Sequence, residues 1–304
     1  MSCATPSALV PVTEGRPLMG TILEITLVTS DPARARALIE RCFAETARLE
    51  MIFTTWRPDG ELARLNAQAG NGPQSASPEL VRILLDAQRF ARETGGAFDV
   101  TVGPLVSLWR KGGKRGEQPS DAEVAAARSR VGAERIQIDS ERGTLALEVG
   151  MSVDLGGLAK GWTLDRLGEV LRREGVDRAL LNFGGSSLLA IGTPLDAPNW
   201  RIGLENGEIL ELRSESNLSI SSSFGQVVEI DRARFSHIVD PRTGWPTRRA
   251  RRAIVEAPDG AIAEAWSTAL VVVNGDKACA QNVEGSFERV SPSGTISARI
   301  GCDP

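Results

Sequence analysis

The chain has 304 residues, 41% of them hydrophobic and 24% charged, with a formal net charge of −4 and a pI near 5.4. This length and apolar fraction suffice for one large core or two modest ones, and the acidic balance argues against a nucleic-acid partner. No window is apolar for the ~18 residues that a membrane span requires. Residues 1–20 carry neither a basic n-region nor an apolar h-region, so a cytoplasmic protein is expected, or a periplasmic one if a leader has been trimmed. The four cysteines, Cys3, Cys42, Cys279 and Cys302, form no CxxC pair and suggest neither zinc nor a redox couple. Tyrosine is absent, so Trp and Phe must supply any aromatic stacking.

In chain order, residues 22–28 alternate as a strand, with Leu23, Ile25 and Leu27 on one face and Ile22, Glu24 and Thr26 on the other. Residues 32–51 read as an amphipathic helix whose inner stripe is Ala35, Leu38, Ile39, Cys42 and Leu49. A second helix runs to Glu93, with Ser77 as N-cap, Pro78 in the first position and Gly95-Gly96 as its stop. Residues 111–118 are polar and Gly-rich, and a mobile loop is expected there. Ser120-Asp121-Ala122-Glu123 is a capping-box pattern that opens a third helix, to about Arg130. Leu164, Leu167, Val170 and Leu171 recur at helical spacing over 162–173. Short strands follow near 179–182, 188–191, 200–204 and 209–212, then a strand at 254–256, a helix after Ala261 and end strands. Strands in runs joined by short turns, without regular βαβ alternation, indicate an α+β fold with mainly antiparallel sheet.

Two segments carry chemistry. The chain's one histidine, His237, lies in Ser236-His237-Ile238-Val239-Asp240-Pro241-Arg242-Thr243-Gly244, at the end of a predicted strand (235–239) and before a turn fixed by Pro241 and Gly244. Imidazole is the side chain whose ordinary pKa lies near neutrality, so histidine proton transfer here would use this residue. Read alone, a structural histidine beside a tight turn is an equal alternative. In Asp154-Leu155-Gly156-Gly157-Leu158-Ala159-Lys160-Gly161, three glycines stand at a loop-to-helix junction, where backbone can approach a ligand closely and a helix N-terminus favours phosphate. The spacing is neither GxGxxG nor GxxxxGK[ST]. A Gly-rich turn with a solvated lysine is the plain alternative.

Taken together in order, DLGGLAKG, Leu181-Asn182-Phe183-Gly184-Gly185 and SHIVDPRTG resemble the ApbE family of FAD:protein FMN transferases. Supporting matches are Leu18-Met19-Gly20-Thr21, the stretch from Phe53-Thr54-Thr55-Trp56 to Leu65-Asn66, Gly96-Ala97-Phe98-Asp99-Val100-Thr101-Val102-Gly103-Pro104-Leu105, and Ala263-Glu264-Ala265-Trp266-Ser267-Thr268. The likeness runs colinearly over about residues 15–275. It implies a T-fold-related ApbE-like domain over 15–285, with FAD in a cleft between two lobes, an N-terminal extension (1–14) and a C-terminal tail (286–304).

The resemblance also implies roles. Mg²⁺ would be held by Glu264, Thr268 and the backbone carbonyl of Gly157, hard oxygen ligands that suit it. The i, i+4 spacing sets Glu264 and Thr268 on one helical face. His237 would deprotonate the acceptor hydroxyl or stabilise the phosphate transition state, and Lys160 would lie near the FAD phosphates. Asp154 would organise the metal loop and bind the nucleotide, while Met19, Trp56, Ala97, Phe98, Asp99 and Ile238 would enclose the cofactor. Core packing is the plain alternative for Met19, Trp56 and Phe98, and an exposed helix acid for Glu264. The chain departs from the family pattern at Glu264, usually Asp, at Ser186, usually Asp or Asn, and at 220–224 (Ile220-Ser221-Ser222-Ser223-Phe224), where the family has a Gly and a Tyr. The implied activity is Mg²⁺-dependent transfer of FMN from FAD to a Thr or Ser hydroxyl of a flavoprotein acceptor, with release of AMP. FAD binding without transfer, and hydrolysis of FAD to FMN and AMP, are the alternatives.

Overall fold

A computed structural model describes residues 8–204, 207–223, 227–230, 233–247 and 252–273, and the backbone of 285–291 and 294–301. Cys3, Phe224, Cys279 and Cys302 lie outside the described residues. The first half of the chain holds β1 (Val10–Leu18), β2 (Thr21–Thr29), α1 (Pro32–Phe53), α2 (Glu61–Ala67), β3 (Gln74–Ser75), α3 (Pro78–Glu93), α4 (Gly103–Arg115), α5 (Asp121–Arg128), β4 (Gln137–Asp139) and β5 (Thr144–Ala146). Next come α6 (Ala159–Arg173), β6 (Ala179–Phe183), β7 (Ser187–Ile191), β8 (Trp200–Gly203), β9 (Ile209–Leu212) and β10 (Ser216–Ser222). The chain closes with β11 (Val227–Ile230), β12 (Ala233–Ser236), β13 (Arg252–Ala257), α7 (Gly260–Val272), β14 (Gly285–Ser291) and β15 (Gly294–Gly301).

Eight strands form the main sheet in the order β1-β2-β6-β7-β10-β13-β15-β14, every neighbouring pair antiparallel. The fold is therefore α+β and mainly antiparallel, as the sequence indicates. One face of the sheet carries α1, α6 and α7, and the other is covered by the β8–β9 hairpin. With both faces covered, all five residues of β7 are buried. In β2, Leu23, Ile25 and Leu27 are buried while Ile22 is exposed, the predicted alternation. The predicted stripe of α1 is buried throughout, and burial pushes the Cys42 thiol up to about 12, which makes it unreactive.

Caps fall where the sequence places them. Ser77 accepts from Leu80 N, and Ser120 and Glu123 form a complete capping box. Two segments differ from expectation, the N-terminal stretch and the loop at 111–118, while the C-terminal end does not. Residues 10–18, across the predicted boundary at residue 15, are β1, paired with β2 along its full length. The expected end strands are β14 and β15, which pair with each other, and β15 also pairs with β13. The expected loop at 111–118 is helical to Arg115, because Trp109 is buried and Gly116, with φ +72°, closes the helix as a left-handed C-cap.

The α6–α7 crossing positions the site. A Cβ on Gly161 would fall 2.1 Å from Gly260 O, and one on Gly260 would fall 2.5 Å from Gly161 O, so the two helices touch backbone to backbone. Beside this crossing, the carboxylate of Asp165 on α6 accepts from Gly260 N (2.6 Å) and Ala261 N (3.0 Å), capping α7 from a neighbouring helix.

Candidate functional site

Strand alternation builds the floor. Leu188 and Ala190 of β7 pack toward the β8–β9 hairpin, so Ser187 points to the helices; likewise Leu218 and Ile220 of β10 face the hairpin, and Ser219 and Ser221 face α7. Ser187 and Ser219 are register partners, so three hydroxyls line one stripe beneath α7. From above, α7 lowers Glu264 and Ser267 into this stripe. Ser267 Oγ hydrogen-bonds Ser219 Oγ (2.9 Å) and Ser221 Oγ (2.8 Å), and Thr268 Oγ1 lies 3.4 Å from Ser221 Oγ.

Glu264 is only 3% exposed, which overturns the exposed-acid alternative. Its Oε1 accepts from Ser187 Oγ (2.5 Å) and sits 3.3 Å from Lys160 Nζ. Lys160 also donates to Ser186 Oγ (2.7 Å) and Ser187 Oγ (2.9 Å), so it is a bound lysine rather than a solvated one. The other carboxylate oxygen, Oε2, is buried and has no hydrogen-bond partner among the described residues. Leaving a buried carboxylate oxygen unpaired is costly, and such an atom calls for a ligand.

The DLGG loop meets the same helix. A Cβ on Gly157 would stand 3.3 Å from Thr268 Oγ1 and 3.6 Å from Phe98 Cε2, so this glycine, Thr268 and Phe98 adjoin. Asp154 Oδ1 accepts from Gly156 N (2.8 Å), and Asp154 N donates to Val100 O (2.7 Å). Asn66 clamps the start of the loop in both directions, donating to Val153 O and accepting from Val153 N, each at 2.8 Å. These donors suit a hard divalent cation: the unpaired Glu264 oxygen, the Thr268 hydroxyl and the Gly157 backbone are all oxygen donors. No cluster of three His, Cys, Asp or Glu side chains suited to a metal occurs among the described residues, so any cation site here must use hydroxyl and backbone oxygen.

Met19 sits at the β1–β2 turn with φ +49°; its N–H donates to Glu50 Oε1 (3.0 Å) and its Sδ lies 3.7 Å from Thr163 Oγ1. Ala97 and Phe98 are buried core residues. Asp99 is buried and engaged internally, accepting from Thr101 N (2.7 Å), Thr101 Oγ1 (2.5 Å) and Ala133 N (2.9 Å). Burial raises its pKa above the usual carboxylate value, against the lowering effect of those donors.

His237 follows β12 directly and lines a cavity of about 220 Å³ with Val106, Trp109, Arg110, Val228 and Ser236. Trp56 is 78% exposed, which overturns the core-packing alternative, and the Arg110 guanidinium lies 5.0 Å over its ring. Arg110 thus links Trp56 to the His237 cavity. Ile238 packs against the core cluster that contains Ala97 and Phe98, and Trp109 Nε1 donates to Gly244 O (3.0 Å), which ties the histidine loop to the rest. A larger cleft of about 720 Å³ lies beside Trp162, Asp165 and Asp259 and contains none of the predicted site residues.

Sequence reasoning did not single out Ser187, Arg110, Asp165 or the clamp made by Asn66. A serine opening the apolar run Ser187-Leu188-Leu189-Ala190-Ile191 is the available signal for the first. The others acquire partners only through tertiary contacts.

Comparison with known proteins identifies the family and the fold. Residues 19–286 match the ApbE family. The chain is 31% identical over 288 residues to a FAD:protein FMN transferase of Klebsiella pneumoniae, covering 90% of this chain and 82% of the relative. It superposes on Pseudomonas stutzeri flavinyl transferase ApbE with a TM-score of 0.79 at 27% identity, covering 96% of this chain and 95% of the other. For flavin transferase ApbE from Vibrio cholerae the TM-score is 0.76 at 26% identity, covering 96% and 97%. With motifs and fold in agreement, the chain belongs to the ApbE family.

Proposed function

We propose that this protein transfers FMN from FAD to a Thr or Ser hydroxyl of a flavoprotein acceptor and releases AMP. Relatives named FAD:protein FMN transferase support the reaction. The observation in this chain that carries the reading is the buried, unpartnered Oε2 of Glu264, one helical turn from Thr268, on the helix that adjoins Gly157. We assign Mg²⁺ to Glu264, Thr268 and the Gly157 backbone. Bound there, the cation supplies positive charge against the pyrophosphate oxygens.

The remaining chemistry belongs to the chain's own side chains. Lys160, at the start of α6, adds a fixed positive charge beside the phosphates. Trp56, exposed on one side and paired with Arg110 on the other, offers a ring face for flavin stacking. His237 takes the proton of the acceptor hydroxyl as its oxygen attacks the FMN phosphorus. The bond from that phosphorus to the bridging oxygen breaks, and AMP leaves with the electron pair. Asp154 and Asn66 hold the DLGG loop in shape.

The test is incubation of the protein with FAD, Mg²⁺ and a flavoprotein acceptor domain, read by intact mass, with a chelated control. An increment equal to FMN on the acceptor, abolished by EDTA, is expected. FAD bound with neither increment nor AMP release would leave a flavin-binding protein; AMP released without an increment would make it a hydrolase.

A further inference from the structure

We propose that Ser187 is a positioning residue that presents Glu264 to the cation, an inference that rests on the metal assignment above. The hydroxyl of Ser187 is 2.9 Å from the Lys160 ammonium and 2.5 Å from Glu264 Oε1. An ammonium only donates and an ionised carboxylate only accepts, so the direction of both bonds is fixed: Ser187 accepts from Lys160 and gives its single proton to Oε1. The residue is 1% exposed, so water does not compete for either bond. Oε1 is thereby occupied by Ser187, with Lys160 at 3.3 Å, and Oε2 is the oxygen left without a partner among the described residues.

This arrangement accommodates a carboxylate of glutamate length. Ser187 comes from the sheet and Glu264 from the helix above it, and their hydrogen bond spans the gap between the two layers. An aspartate at 264 ends one methylene earlier and does not reach the Ser187 hydroxyl from the same backbone. Ser187 and Glu264 therefore act as a matched pair: the serine fixes the rotamer of the longer acid, and the fixed rotamer leaves one oxygen for the metal. Outer partners that orient a metal ligand commonly contribute ten- to hundredfold in affinity.

The experiment is Mn²⁺ titration of the full-length protein, followed by electron paramagnetic resonance, in four forms: wild type, Ser187→Ala, Glu264→Asp and the double variant. Ser187→Ala is expected to weaken Mn²⁺ binding about ten- to hundredfold when Glu264 is present, and less than about twofold in the Glu264→Asp background, where the bond no longer exists. Ser187→Thr, which keeps the hydroxyl, should retain wild-type affinity to within about threefold. Should Ser187→Ala fail to fold, Ser187→Cys, similar in shape with a weaker donor, serves in the same cycle. Equal Mn²⁺ affinity in wild type and Ser187→Ala, or an equal loss in both backgrounds, overturns the pairing and leaves the transferase reading standing. A wild type that binds no Mn²⁺ overturns the metal assignment and this inference with it.

Discussion

The cluster beneath α7 and the surroundings of His237 are built on opposite plans. Around Glu264, side chains from β7, β10, α6 and α7 are buried or half-buried and hydrogen-bonded at 2.5–2.9 Å, with one oxygen left over among the described residues. Around His237 the walls are Val106, Trp109 and Val228 beside a cavity, and Trp56 stands out in solvent. On the proposed reading, the first region is a hydrogen-bonded polar frame that takes a small ion, and the second, with its partly aromatic lining, takes a planar ligand and a second protein. Under the proposed function, the contrast teaches that one active centre can divide its precision. Hydrogen-bonded donors would then serve the charge, and the apolar and aromatic lining would serve the partners.

The largest test of this division is His237→Ala. On the reading above it lowers FMN transfer by about 10²–10⁴-fold, while FAD retention on gel filtration and Mn²⁺ binding at the frame stay unchanged. Transfer at the wild-type rate would remove His237 from the chemistry. A smaller effect is expected for Trp56→Ala. Loss of one stacking face should weaken FAD binding by about tenfold or less, measured by flavin fluorescence. Unfolding stability should move by no more than about 0.5 kcal/mol, because the ring is exposed. A large stability loss would show that the loop, not the flavin, uses the indole.

The third test concerns the helix that carries the frame. Burial pushes the Asp165 carboxyl up from 3.8 to about 8, with the charges of Asp259 and Glu264 adding to it, against the lowering effect of the Gly260 and Ala261 amides. A folded-state pKa above the unfolded one means that the native chain holds this proton more firmly. Its contribution to stability is full below about 3.8 and is lost as pH rises toward about 8. One such group gives a slope of at most about 1.4 kcal/mol per pH unit. Asp165→Asn cannot titrate, so urea unfolding across this range should show a shallower fall for the variant than for wild type. Identical slopes would locate the proton elsewhere.

Much of this frame is legible in the sequence, and what is missing has a physical cause. The alternation of β2, the stripe of α1 and the caps at Ser77 and Ser120 depend on neighbours within a few residues, and all appear where expected. The i, i+4 relation of Glu264 and Thr268 is local as well. The strand β1 is less legible, because an edge strand with one neighbour carries polar residues and Pro11 and Pro17 without penalty. The last turns of α4 look like a loop by composition. Their order comes from a distant contact: a Cβ on Gly113 would meet Val228 at 2.2 Å. Lys160 and Glu264 read as ordinary surface charges until the sheet register sets Ser187 between them.

The contact between Gly161 and Gly260 gives the frame a property that side chains alone would not. Because the two helices meet main chain to main chain, their separation there is set by covalent dimensions and van der Waals radii, and no packed residue intervenes to be exchanged. Lys160 and Glu264 stand one and four positions from this pivot. The hydrophobic interior can therefore differ, as it must between chains of the same fold at 26–27% identity, while the ammonium and the carboxylate keep their gauge.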